Sequence, residues 1–86
     1  MHWLYTTFKD YCQKKGIHLL RGDLKYIEKE LVKIPKELQR SVMSDYTRKW
    51  VETMDKENNS LLKQNLARRK ANLWLLTRQE KNKNDN

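Results

Sequence analysis

The sequence predicts an all-α fold, a small bundle of about four helices in which the third and fourth form a long antiparallel hairpin. Three observations carry that expectation. Apolar residues recur every three or four positions in four separate stretches, which is the period of a helix face. The few breakers, Gly16, Gly22 and Pro35, fall between those stretches. The run from Ser60 to Gln79 has no Gly or Pro and is dominated by Leu, Ala, Lys, Arg and Gln, all strong helix formers.

The first helix is expected over about residues 2–15. Trp3, Leu4, Phe8, Tyr11 and Cys12 share one side as core residues, Lys14 and Lys15 suit the negative end, and Gly16 suits the left-handed position beyond it. Cys12, the single cysteine, reads as a buried thiol and rules out an intrachain disulfide. Ile17, Leu19 and Leu20 lie in a short link that covers one end of the bundle. Gly22 permits a turn and Asp23 can cap a second helix over about 23–33, whose seam is Leu24, Ile27, Leu31 and Ile34. Arg21-Gly22-Asp23 matches an adhesion tripeptide by chance; turn and cap account for it.

Pro35 opens the third helix, which runs to about Lys56. Its stripe is Leu38, Val42, Tyr46, Trp50 and Met54, with Met43 beside it. Asp55 to Ser60 is the turn, with Asn59 or Ser60 capping the fourth helix. On that helix Leu62, Leu66, Leu73 and Leu76 make one stripe, expected to face the core. Pairing the hairpin ends places Met54 near Leu62, Trp50 near Leu66, Val42 near Leu73 and Leu38 near Leu76. Residues 1–80 are expected to form a single helical domain, and residues 81–86, KNKNDN, a disordered polar tail.

Charge gives the functional signal. The net charge is +8. It is neutral over residues 35–57 and reaches +5 over 58–86, with no acidic residue between Glu57 and Glu80. A second face of the fourth helix carries Lys63, Ala67, Lys70, Trp74 and Arg78, and Arg68 lies beside it. Lys63, Arg68, Lys70, Trp74 and Arg78 are therefore the candidate binding residues. Lys and Arg can neutralise phosphates while Trp stacks on an unpaired base. The same set can dock an acidic protein surface with Trp74 as anchor. The plain alternative has Trp74 packed inward and the lysines as ordinary surface.

Arg69 stands at the centre of the leucine stripe. A guanidinium in a packed seam needs a partner, so a contact is expected with Asp45 or with the hydroxyl or ring of Tyr46. It would serve either as an ion pair fixing hairpin register or, beside Arg68, as a contact for an anionic ligand.

Catalytic signals are absent. His2 and His18 have no metal-ligand spacing, one cysteine cannot build a structural zinc site, and there is no Gly-rich phosphate loop. Asp45 and Glu52 share a helix face but read as surface charge. The expectation is a non-enzyme with no cofactor and no metal. With no secretory signal pattern and no long apolar run, it is expected in the cytoplasm and off the membrane.

Ile34 to Leu38, Tyr46 to Trp50, and Gln64 to Leu75 with its Arg-Arg-x-Ala-Asn run resemble small helical accessory proteins of temperate phages and prophages, over residues 34–76. The resemblance implies an accessory of replication, recombination or a host machine, acting in bacterial cytoplasm. The leading expectation is a basic module binding DNA or RNA through the fourth helix. The alternative is an adaptor or inhibitor docked on an acidic surface of a host protein. A homodimer is a further arrangement left open.

Overall fold

Apolar periodicity becomes helix in all four places. The computed structural model describes residues 3–84, and the side chains of residues 3–78. The first helix opens with a π-helical stretch, Leu4–Phe8, and continues as α1, Lys9–Lys14. Then come α2, Arg21–Leu31, α3, Lys36–Lys56, and α4, Lys63–Asn84. α4 thus extends through part of the segment expected as a tail, where no Gly or Pro stops it. Residues 85–86 lie outside the described residues, as does His2.

α3 and α4 form the main antiparallel pair, and α4 also meets α2. The core combines Leu4, Phe8 and Cys12 of the first helix with Leu24, Ile27 and Leu31 of α2. Val42, Met43, Tyr46 and Trp50 enter it from α3, and Ala67, Ala71 and Leu75 from α4. Tyr11, expected inside, is exposed, and Leu38 is exposed at the open end of α3.

The helix ends follow from local chemistry. Gly16 has φ +76°, and the Ile17 N–H reaches back to the Cys12 carbonyl at 2.9 Å, closing α1 in the left-handed form that glycine adopts at least cost. Pro35 precedes α3 as expected. Gln39 Nε2 donates to the carbonyls of Leu31 and Ile34 at 3.0 and 3.1 Å, satisfying the end of α2. Asn59 Oδ1 accepts the Leu61 N–H at 2.9 Å and starts the turn that leads into α4.

Two expectations around residue 22 are corrected. Gly22 is not in a turn but in the first turn of α2. Asp23 is not the cap residue. It sits two places past the first helical residue, and its Oδ2 accepts the Leu20 N–H at 2.9 Å. That bond ties the extended Leu20 to the start of α2, and the same carboxylate oxygen also accepts from Arg68 of α4.

Cys12 is fully buried among the core side chains, and that burial pushes its thiol pKa up to about 12. A raised pKa means that the folded state holds this proton more tightly than the unfolded chain. The stability it contributes is therefore intact at neutral pH and lost as pH rises from about 9 toward 12. Urea titrations across that range should show declining stability, with a shallower decline in Cys12→Ala. Identical slopes in the two proteins would remove the thiol from the account.

Candidate docking face on the fourth helix

α3 presents its two largest buried side chains, Tyr46 and Trp50, one turn apart. Bulky rings demand small residues opposite, and α4 answers with Ala67 and Ala71, both fully buried. The rings also carry polar tips that need partners. Trp50 Nε1 donates to Gln64 Oε1 at 3.0 Å, and Tyr46 Oη donates to Asn72 Oδ1 at 2.6 Å. Burial pushes the Tyr46 pKa upward, so the hydroxyl stays a donor. The inward face of α4 is thus Gln64, Arg68 and Asn72 beside Ala67, Ala71 and Leu75.

Arg68 is the central member of that face. Nε donates to Asp23 Oδ2 at 2.7 Å, and the other nitrogens donate to Asn65 Oδ1 at 2.7 Å and to the His18 carbonyl at 2.8 Å. The guanidinium also lies 5.2 Å from the Trp50 ring centroid. One turn earlier, Gln64 Nε2 donates to the Gly16 carbonyl at 2.9 Å, and Gln64 Oε1 accepts the His18 N–H at 3.1 Å. The two side chains stitch α4 to the 16–20 link, to the start of α2 and to α3.

This arrangement overturns the expected orientation of α4. The hairpin is antiparallel at about the expected level, because Trp50 meets Gln64 and Arg68 on either side of Leu66. The helix is rotated by roughly half a turn, because the buried Ala67, Ala71 and Leu75 lie on the side of α4 opposite the leucine stripe. Arg69 is exposed; Asp45 pairs instead with Arg48 at 2.6 Å, and the Tyr46 hydroxyl is held by Asn72. No register-fixing pair forms between Arg69 and α3. The arginine that packs inward is its neighbour, the part-buried Arg68, and the carboxylate it pairs with comes from α2.

The predicted binding residues scatter accordingly. Arg68 is occupied internally, Trp74 is half-buried against the core, Arg78 and Lys63 are half-buried, and Lys70 is exposed. The outward face is the leucine stripe. Leu62 is 53% exposed and Leu73 60%, with Leu76 exposed and Leu66 half-buried. Leu62 joins the helix continuously, since the Leu66 N–H donates to its carbonyl at 2.9 Å.

Grooves flank this stripe. On the α3 side one of about 490 Å³ is lined by Lys49, Glu52, Lys56, Lys70, Leu73 and Trp74. On the α2 side one of about 630 Å³ is lined by Tyr26, Leu66, Arg69, Asn72, Leu73 and Leu76. The chain matches no known family, no curated protein and no solved structure.

Among the described residues, no group of three His, Cys, Asp or Glu could hold a metal ion, and no helix is long and apolar enough to cross a membrane. The inward face of α4 was missed because leucine was read as core by default. A signal did exist: Gln64, Arg68 and Asn72 repeat every four residues, as do the polar-tipped rings Tyr46 and Trp50.

Proposed function

We propose that this chain is a non-enzymatic docking module that binds another protein through the outward leucine stripe of α4. The observation that carries the reading is the exposure of Leu62, Leu73 and Leu76 on a helix whose opposite face is already packed. An exposed row of leucines set among basic residues is typical of a protein interaction site. The resemblance of residues 34–76 to phage accessory proteins, which implies an accessory of replication, recombination or a host machine, admits an adaptor or inhibitor acting on a host protein in bacterial cytoplasm. Arg68, spent on Asp23, is withdrawn from the contact set; Lys70 stays in it at the edge of the stripe, and Arg69, at the centre of the stripe, joins it.

Binding of DNA or RNA is the second reading, favoured by the exposed Arg69 and Lys70 on a helix with no acid from residue 58 to residue 79. Affinity capture from bacterial lysate separates the two, run with and without nuclease. The wild type should retain proteins after nuclease treatment, and Leu66→Asp/Leu73→Asp should lose them while remaining helical by circular dichroism. Retention of nucleic acid instead, falling steeply with salt and lost in Lys63→Gln/Arg69→Gln/Lys70→Gln, would transfer the function to the second reading.

A further inference from the structure

We infer that the occupant of the α4 stripe is an acidic amphipathic helix of about four turns, with a carboxylate in its own apolar seam facing Arg69. This rests on the protein-docking reading above and names the partner's chemistry. Leu62, Leu66, Arg69, Leu73 and Leu76 follow alternating steps of four and three, the spacing of a coiled-coil seam. The row spans about 21 Å at 1.5 Å per residue. It stands as a ridge with a groove on each side, between α3 and α2, the relief into which the side-chain ridges of another helix pack.

Charge selects among helices. The ridge carries Arg69 and Lys70, and α3 adds Lys49 and Lys56 against Glu52 and Glu57 on one groove wall. The α2-side groove has Arg69 and Lys70 and, among the described residues, no acidic lining residue. A second copy of the chain fits poorly. Arg69 is the middle position of the seam, so parallel and antiparallel self-pairing both set it against the Arg69 of the other copy, and like charges in a closing seam oppose association. A carboxylate at the facing position turns that repulsion into a charge-assisted pair. An anionic lipid surface also offers negative charge, but it would have to accept Glu52 and Glu57 beside the leucines and could not fill two grooves with one rigid ridge.

The test uses the full-length chain and two synthetic helical peptides of about four turns with the same leucine seam. One has Glu opposite Arg69 and on its flanks; the other has Lys at those positions. The Glu peptide should bind about tenfold or more tightly than the Lys peptide, shifting amide resonances over residues 62–76. Arg69→Glu should reverse the preference.

Equal affinities, shifts confined to other helices, or an unchanged preference in Arg69→Glu would overturn the inference. So would a stable dimer of the chain alone in sedimentation, or binding only to vesicles of anionic phospholipid. If neither peptide binds while lysate capture still depends on Leu66 and Leu73, this inference falls and the docking reading stands. If capture does not depend on them, both fall.

Discussion

Arg68→Met should lower the unfolding free energy by about 3–5 kcal/mol, the usual cost of removing one partner from a buried ion pair. The side chain is 16% exposed and its partner Asp23 only 6%. Its loss leaves the Asp23 carboxylate with the Leu20 N–H alone among these bonds, strips the His18 carbonyl of its donor and uncovers the Trp50 ring. For a domain of this size such a loss approaches the whole stability. Arg68→Lys keeps the charge but not the fork that reaches three acceptors at once, so it should fall between. Arg69→Met, one position on, should change stability by less than about 0.5 kcal/mol, as exposed substitutions do. Urea denaturation of the three variants checks the order. Equal costs at Arg68 and Arg69 would mean that the clasp does not hold the fold.

Ala71→Leu is expected to be nearly as damaging, because Ala71 is fully buried in the α3–α4 interface. Added side-chain volume there must push α4 away from the rings of α3 or force them from their rotamers. Overpacking costs about 1–3 kcal/mol and sometimes more. It would also stretch the 2.6 Å bond between Tyr46 and Asn72. Leu73→Ala, two positions away but 60% exposed, should be close to neutral. The pair reverses what the leucine stripe predicts on its own, where a new leucine would enrich the core and a lost one would open a cavity. Thermal melts of the two variants decide between these orientations. A stable Ala71→Leu beside a crippled Leu73→Ala would return α4 to the leucine-inward arrangement.

Much of the architecture was readable from particular residues. Gly16 ended α1, Pro35 opened α3, and Asn59 led into α4, since each acts through backbone chemistry local to its own position. The seam of α2 and the Val42, Tyr46 and Trp50 stripe of α3 were also correct, because each is the clearest apolar face its helix has. Asp23 was placed at the right helix end but in the wrong role, since a carboxylate two residues further in can bond back to the entering chain as well as a cap residue can bond forward.

The candidate site was readable only in part. Lys70 is exposed on α4 in a stretch without acids, as the charge pattern indicated; Arg69, expected against Asp45 or Tyr46, is exposed instead, and Arg68, counted as a binding group, is a structural one. Sequence determined that α4 is a helix, that it is basic and that it returns antiparallel along α3. All three follow from propensity, composition and the shortness of the turn. Only tertiary packing decided which way α4 faces. A helix with leucines on one side and Gln, Ala, Arg and Asn on another can bury either. The choice depends on what stands opposite: two large rings with polar tips leave space for alanine and require hydrogen-bond partners, and leucine supplies neither. The leucines were therefore turned outward.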